Sequence, residues 1–362
     1  MGNVFLCTTV KHVFTALFFA DKYLKRESNI ILCAIDHQNI NNSLMNSYEE
    51  TFPEIEFIFY NENELINEFR ANNALSFSGF LSRNIKINTK ELKFELSVDF
   101  LKEKLVRMGV PELNVAYIFH DRTFTSKFFL YSDTSEVKMI EDGKVNYYKQ
   151  PVGNILKSLI RFFLRLDPKW FVLGESPRIS KVYYSNIDES PLTLKGKSSS
   201  LGDIYSLSKS MQSKMLSFFS YERFNCELVF LTQGLDIAGL CSKADKLNIY
   251  DEVVGVILEN KEVNSLCIKL HPSESVDDYN FIKLKYGKKV IIEDRKIPFE
   301  IYSLLEPKPV AISLFSSSSY IRTGRLTSVI NLIEDEKKWR KFDVDEIKKT
   351  SISQLKSIDE YF

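Results

Sequence analysis

The sequence is poor in the side chains that bind metals or form disulfides, and it has no excess of charge. Its 362 residues include four histidines and five cysteines, and 48 Lys and Arg balance 48 Asp and Glu. Such a balance excludes a general electrostatic attraction to nucleic acid. The cysteines form no C-x-x-C unit, which argues against disulfides and zinc and indicates a reducing compartment.

Long hydrophobic runs are also missing. No apolar run reaches the roughly 18 residues of a spanning helix. The first apolar run is interrupted by Lys11 and His12 and has no basic region before it, so it does not resemble a signal peptide. We therefore expect a cytoplasmic protein, with attachment to a membrane surface as the open alternative.

Several familiar motifs do not occur. The sequence contains no G-x-x-x-x-G-K-[ST], no G-x-G-x-x-G and no G-x-S-x-G, which disfavours P-loop proteins, dinucleotide enzymes and α/β-hydrolases. Asp343-Val344-Asp345 has a D-x-D form that can hold a divalent metal. It opens a predicted helix, however, and helix capping explains it better. We expect no catalytic metal.

Two consecutive series of short apolar strands alternate with helical patterns. This alternation is typical of βαβ units and parallel sheets. We predict an N-terminal domain over residues 1–150, a connector over 151–178, a second domain over 179–342 and a C-terminal helix over 343–362. The predicted fold class is α/β, with two Rossmann-like domains facing across a cleft, an arrangement that resembles the GT-B fold.

The connector has a distinctive helical pattern. Residues 155–166 read ILKSLIRFFLRL, in which Lys157, Arg161 and Arg165 are spaced to form one cationic stripe on an apolar helix. Trp170 lies shortly after it. This pattern is typical of a helix in a membrane interface. The alternative is a buried helix whose cations reach the surface.

The first candidate for chemistry is Glu141-Asp142-Gly143, directly after a predicted strand. Carboxylates at the carboxyl end of a parallel strand lie where α/β folds bind ligands. Two adjacent like charges can also raise one pKa, which suits a general base. A surface D-G turn is the alternative. His12 and His120 also follow predicted strands and are weaker candidates.

The second half contains a histidine in a similar place. His271-Pro272 follows a predicted strand that ends at Lys269. A histidine there could donate a proton or hydrogen bond to a leaving phosphate, and a plain loop histidine is the alternative.

Two further features follow the histidine. Pro298 opens a helix with Glu300 in its first turn, where a carboxylate can accept ribose hydroxyls or simply stabilise the helix. The serines at 316–319 follow another predicted strand and could form an anion nest or a flexible loop. These four residues are Ser316, Ser317, Ser318 and Ser319.

The order of these motifs resembles that of a known group of enzyme families. E-D-G at 141–143, K-x-H-P at 269–272, I-P-F-E at 297–300 and the serine cluster resemble the bacterial sialyltransferases of glycosyltransferase families 52, 38 and 80. Glu141 and His271 are 130 residues apart, which fits the separation in those families. The chain length, the NVFLCTT start and the LTQ segment are most similar to the family 52 lipooligosaccharide sialyltransferases.

The resemblance implies an inverting, metal-independent transfer of sialic acid from CMP-sialic acid to a sugar hydroxyl of a surface glycan, such as lipooligosaccharide, O-antigen or capsule. It implies that Glu141 is the general base, that Asp142 orients it, and that His271 stabilises or protonates the CMP phosphate. The other implied contacts are with the donor or the acceptor. Ser316 to Ser319 are expected to contact the phosphate, Glu300 the ribose, and Lys269 with Pro272 the cytosine. His12 and His120 are expected on the acceptor side.

One position departs from the family pattern. Family 52 often has proline after the Thr-Gln pair, whereas Gly234 follows Gln233 here, which leaves the donor-binding role of Gln233 open. The implied partners are a nucleotide sugar and a glycan acceptor, either free or lipid-linked, without nucleic acid. We also expect a homodimer, and a place on the cytoplasmic face of the inner membrane is the alternative to a fully cytoplasmic protein.

Two alternatives to this function stay open. The same fold could use another CMP-nonulosonic acid, CMP-Kdo or a UDP-hexose. The chain could instead be a non-catalytic glycan-binding scaffold.

Overall fold

The chain forms two compact units, Met1–Lys214 and Met215–Phe362. The computed structural model describes residues 2–38, 42–72, 103–110, 113–131, 136–153, 155–163, 166–202, 207–218, 228–259, 263–295, 297–304, 310–315, 329–333 and 341–357. The serine cluster at 316–319 and Arg165 lie outside the described residues.

The first unit is built on a sheet of seven parallel strands in the order β3-β2-β1-β4-β5-β8-β9. Their bounds are β1 Gly2–Cys7, β2 Asn29–Ala34, β3 Glu56–Tyr60, β4 Leu113–Ile118, β5 Glu136–Ile140, β8 Ile179–Tyr184 and β9 Ser198–Ser200. Every residue of β1 and β2 is buried. Parallel strands covered on both faces read as continuous apolar runs, which is why the sequence predicted them.

Helices accompany this sheet, and the first unit also contains a two-stranded antiparallel pair. The helices are α1 Val10–Tyr23, α2 Asn42–Thr51, α3 Glu62–Asn72, α4 Phe124–Tyr131 and α5 Ile155–Phe163, and the pair is β6 Gln150–Pro151 with β7 Trp170–Phe171. α1 buries Phe14, Leu17 and Phe18. Helix α6, Lys209–Phe218, crosses the division between the units.

The second unit contains five parallel strands in the order β12-β11-β10-β13-β14. Their bounds are β10 Leu228–Leu231, β11 Leu266–Lys269, β12 Val290–Glu293, β13 Val310–Ser313 and β14 Val329–Asn331. The helices are α7 Lys243–Glu259, α8 Asn280–Tyr286 and α9 Val344–Ser357, with a short 3₁₀ helix at Phe299–Leu304. Ile249 and Val253 of α7 join Phe230, Ile268 and Ile347 in one apolar core.

The structure corrects the predicted domain boundary at residue 179. β8 pairs in parallel with β5, and β9 pairs with β8, so both strands extend the first sheet. The predicted connector over 151–178 lies within the first unit, where β7 pairs with β6. A short apolar strand does not encode which sheet edge it joins, and the sequence therefore placed these strands one domain too late.

The connector helix also differs from its prediction in one respect. Arg161 is only 12% exposed, and its guanidinium donates to the Glu175 carboxylate and to the backbone oxygens of Asp167 and Trp170. It therefore belongs to an internal ion pair and not to a cationic stripe. Among the α5 side chains that the structure describes, the exposed ones are apolar: Ile155 is 82% exposed, Phe162 65% and Leu159 48%.

Among the described residues, no helix combines the length and apolar character that crossing a bilayer requires.

Candidate active site

Both sheets reverse their strand order beside a central strand, which is β1 in the first unit and β10 in the second. In open parallel sheets, ligands bind outside the carboxyl ends of the strands at such a reversal. Thr8 follows β1 and His120 follows β4 at the first reversal, whereas Thr232 follows β10 and Phe315 follows β13 at the second. The sequence-predicted candidates are distributed between these two sheet edges.

Glu141 directly follows β5, at the carboxyl end of the parallel strands of the first sheet. Its backbone N–H donates to the Tyr183 oxygen, and its carboxylate accepts hydrogen bonds from the Tyr147 hydroxyl and the Ser185 N–H. Burial raises the pKa of Glu141, although these hydrogen bonds oppose the shift. The cause is thus desolvation and not repulsion from Asp142, which the sequence had suggested.

Asp142 makes different contacts from Glu141. Its Oδ1 lies 2.6 Å from Nε2 of His12 on α1, and Lys11 Nζ lies 3.2 Å from its backbone oxygen. Burial would raise the pKa of Asp142, but His12 and Lys11 outweigh it and hold that pKa well below its usual range. The adjacent carboxylates therefore have opposite pKa shifts, because each contacts a different element.

A turn built by glycine holds the E-D-G segment. Gly143 has φ of 148°, a conformation that residues with a side chain rarely adopt. The buried Asn146 accepts from the Asp142 N–H at 2.9 Å and donates its own N–H to the Gly143 oxygen. The glycine of the motif is thus required by the backbone.

His12 and His120, the weaker candidates from the sequence, lie in this same cluster. Thr8 Oγ1 is 3.1 Å from His12 Nδ1 and 3.4 Å from His120 Nε2. Burial lowers the pKa of His120, which favours its neutral form. The structure therefore brings three strand ends together around Asp142, through residues 8, 120 and 142.

His271 follows β11 at the edge of the second sheet and is exposed. Its Nδ1 accepts the Ser273 N–H at 3.3 Å and lies 2.6 Å from Ser273 Oγ. Nε2 can therefore carry a proton outward. Partial burial lowers the pKa of His271, with Glu274 opposing and Lys269 and Lys246 adding to the shift. Pro272 is likewise exposed.

A buried charge network beneath His271 was missed by sequence reasoning. Lys246 of α7 is 1% exposed, and its Nζ lies 2.8 Å from both Asp236 Oδ1 and Glu274 Oε1. Glu274 also accepts from the hydroxyls of Tyr279 and Thr232, and from the His271 N–H at 3.1 Å. Glu274 thus anchors the His271 loop. The sequence around Lys246 has the pattern of an ordinary amphipathic helix, and nothing in that pattern indicates that this lysine is buried.

Gln233 bridges the second strand reversal. Its side-chain amide donates to the Phe315 oxygen and accepts the Phe315 N–H at 3.3 Å, while its backbone binds the Tyr250 hydroxyl. Gln233 therefore joins the end of β10 to the segment that leads into the serine cluster. At Gly234, an added Cβ would lie 3.0 Å from Ser273 Oγ and 3.6 Å from His271 Nδ1, so a small residue allows this close approach.

Lys269 and Glu300 are both buried at this sheet edge, at 5% and 2% exposure. Burial lowers the pKa of Lys269 to about 8, and its Nζ lies within hydrogen-bond distance of the Arg295 oxygen. Glu300 lies in the 3₁₀ helix Phe299–Leu304.

Within the described ranges, no group of three His, Cys, Asp or Glu side chains is placed to hold a metal ion. Metal independence stays a prediction.

Comparisons with known proteins identify the fold. No protein-family model and no curated protein sequence matches the chain. Among solved structures, MnaA of S. aureus, bound to UDP, is 11% identical with a TM-score of 0.52 and aligns over 99% of this chain and 88% of its own. A 2,6-sialyltransferase from Vibrionaceae Photobacterium sp. JT-ISH-224, bound to CMP and lactose, is 10% identical with a TM-score of 0.52 over 98% of this chain and 77% of its own. The chain therefore has the GT-B fold, with two Rossmann-like units.

Proposed function

We propose that the protein is a glycosyltransferase that moves sialic acid from CMP-sialic acid to a sugar hydroxyl. One observation carries this proposal: the E-D-G and H-P motifs follow parallel strands β5 and β11, one motif in each unit. The structurally similar sialyltransferase, which contains CMP and lactose, supports the choice of donor.

The reaction divides between a base and an electrostatic stabiliser. A carboxylate of the E-D-G motif takes the proton of the acceptor hydroxyl, whose oxygen forms a bond to the anomeric carbon of the donor. The bond from that carbon to the phosphate oxygen breaks, and its electron pair leaves with CMP. His271 Nε2–H stabilises the charge that grows on the phosphate. The proposal needs no metal in any step.

The second sheet edge contributes groups suited to a nucleotide. Lys269 with Pro272 is proposed beside the cytosine, Glu300 beside the ribose, and residues 316–319 at the phosphate. The contacts of Gln233 with Phe315 support a role in holding the segment before the serine cluster, in place of direct donor binding.

The test is CMP release from CMP-sialic acid with lactose as acceptor and EDTA present. We expect wild-type turnover to survive EDTA and His271→Ala to lower kcat by about 10² or more. Ser275→Ala, four residues along the same loop, is the matched control and should keep wild-type turnover. The absence of both turnover and CMP binding would refute the CMP donor.

A UDP-sugar donor is the second candidate, because MnaA of S. aureus has a similar fold and its structure contains UDP. Hydrolysis of CMP-Kdo, other CMP-nonulosonic acids and UDP-hexoses under the same conditions separates these donors. A glycan-binding scaffold would bind glycan without turning over any of them.

We also propose a peripheral place on the cytoplasmic face of the inner membrane and a homodimeric state. The exposed apolar residues of α5 support the first proposal, since a bilayer interface accepts such residues. Sedimentation equilibrium of the full chain tests the second.

A further inference from the structure

The main chain of His271 is fixed by hydrogen bonds at both of its polar groups. Its N–H donates to Thr232 Oγ1 at 2.8 Å and to the Glu274 carboxylate at 3.1 Å, and its oxygen accepts the Glu274 N–H at 2.9 Å. Glu274 is itself paired with the buried Lys246. Because the backbone is fixed, only the side-chain torsions of His271 decide where its Nε2 points.

Ser273 determines the orientation of the His271 ring. Its N–H donates to His271 Nδ1 at 3.3 Å, so Nδ1 is an acceptor and the proton of the neutral ring lies on Nε2. Ser273 Oγ lies 2.6 Å from the same nitrogen, and its hydroxyl is therefore the donor in that hydrogen bond. A ring turned over by half a rotation would place a carbon at the position of Nδ1 and lose both bonds.

Gly234 provides the space in which the Ser273 hydroxyl lies. A Cβ at position 234 would be 3.0 Å from Ser273 Oγ, which is closer than an ordinary contact, but 3.6 Å from His271 Nδ1, which is an ordinary one. The backbone is held at this point, because the N–H and the oxygen of Gln233 both bind the hydroxyl of the buried Tyr250. A methyl group at position 234 would thus displace the hydroxyl before it displaced the ring.

We propose that Ser273 is the residue that positions His271, and that Gly234 makes this contact possible. This inference rests on the proposed function, in which His271 Nε2–H stabilises the charge that grows on the donor phosphate. Stabilisation of this kind is strongest when the donor group is already oriented before the reaction. The hydroxyl of Ser273 supplies that orientation by holding Nδ1, so that the proton on Nε2 faces outward.

The charges around His271 make its neutral form the relevant one. Lys269 at the end of β11 and Lys246 on α7 disfavour the imidazolium, and Glu274 on the same loop favours it. Partial burial is the largest influence, and it lowers the pKa of His271. The ring is therefore mainly neutral above about pH 7, where the choice between its two tautomers decides whether Nε2 can donate.

The experiment is a double-mutant cycle on the full chain, measured as CMP-sialic acid turnover with lactose. Ser273→Ala removes the hydroxyl and should lower kcat by about five- to tenfold, the effect of one hydrogen bond, without changing KM for lactose. Gly234→Ala should lower kcat by at least about threefold, because it displaces the same hydroxyl. In the Ser273→Ala background the added methyl meets no hydroxyl, so Gly234→Ala should then change kcat by less than about twofold.

Gly196→Ala is the matched control for the glycine, since a Cβ there would have no atom within 4 Å. Ser275→Ala is the control for the serine. Both should keep the wild-type kcat. Wild-type kcat in Ser273→Ala, or losses that multiply in the double variant, would overturn the inference.

A second readout needs no turnover. ¹⁵N NMR at pH 8, with the His271 signals identified by their loss in His271→Ala, should show an unprotonated Nδ1 and a protonated Nε2. In Ser273→Ala and Gly234→Ala the Nδ1 resonance should move toward that of an imidazole nitrogen without a hydrogen bond, and in Gly196→Ala it should stay in place. An unmoved Nδ1 resonance in Ser273→Ala would refute the contact.

The two levels of the proposal fail in different ways. If the wild type turns over no nucleotide sugar, the proposed function fails, and the positioning role of Ser273 fails with it. If the wild type is active and His271→Ala is impaired while Ser273→Ala is not, only this inference fails.

Discussion

Lys246 shows how one residue can support a site that it does not touch. Its ammonium lies between Asp236 and Glu274, and Glu274 binds the His271 N–H. We expect Lys246→Met to lower the free energy of unfolding by about 3 kcal/mol, because it leaves a carboxylate buried without its cation. Urea unfolding measures this loss.

The control lies one turn earlier on the same helix. Lys243 is 55% exposed and pairs with Asp278. Lys243→Met should change the free energy of unfolding by less than about 1 kcal/mol. Equal losses in the two variants would contradict the view that burial makes Lys246 important.

A second pair predicts a pH dependence. His37 Nε2 lies 2.9 Å from Glu62 Oε2, and this bond raises the pKa of His37. Burial raises the pKa of the Glu62 carboxyl, but the hydrogen bonds from His37 and Thr125 outweigh burial and lower that pKa. The stabilisation from His37 is complete below its unfolded pKa of about 6.5 and is lost as pH rises through the folded value. That from Glu62 is complete above about 4.3 and is lost as pH falls through its folded value.

The pair should therefore stabilise most between about pH 4.3 and 6.5. We expect His37→Gln to lower the free energy of unfolding by up to about 1 kcal/mol at pH 5.5 and by less at pH 8.5. Chemical denaturation at the two pH values checks this. A loss that grows toward pH 8.5 would show that the sign is wrong.

At the scale of the element, helix α5 presents exposed apolar side chains that a bilayer interface can cover. We expect the full chain to sediment with vesicles that contain anionic lipid, and a variant with Ile155→Ser, Leu159→Ser and Phe162→Ser to bind them at least about tenfold more weakly. Ile187→Ser, also exposed but distant in sequence from α5, is the matched control. Equal binding by all three proteins would remove α5 from the interface.

Elements were predictable where one local pattern decides them. The strand that ends at Lys269 and the start of the terminal helix were both predicted, because a buried parallel strand and an amphipathic helix each have a characteristic periodicity. The sheet that β8 joins and the ion pair of Arg161 with Glu175 depend on distant residues, and local pattern does not contain them. The same applies to the site. The sequence predicted the positions of the motifs, but it did not predict that Glu141 and Asp142 contact different elements and have opposite pKa shifts.

At the scale of the whole molecule, the prediction of two Rossmann-like units with parallel sheets is confirmed. Two series of βαβ patterns in a chain of this length are enough to predict that class. The boundary between the units was predicted too early, since β8 and β9 extend the first sheet and do not begin the second. Helix α6 instead continues across the division.

The contact of His12 with Asp142 also has a consequence for folding kinetics. It joins residues 130 positions apart, and β4 lies between β1 and β5 in the sheet. The pair can close only after β4 has paired with β1 and β5 has paired with β4, and closing such a long loop is entropically slow. The geometry of the candidate site is thus among the last features of the first unit to form, so recovery of the proposed activity during refolding would report completion of that sheet.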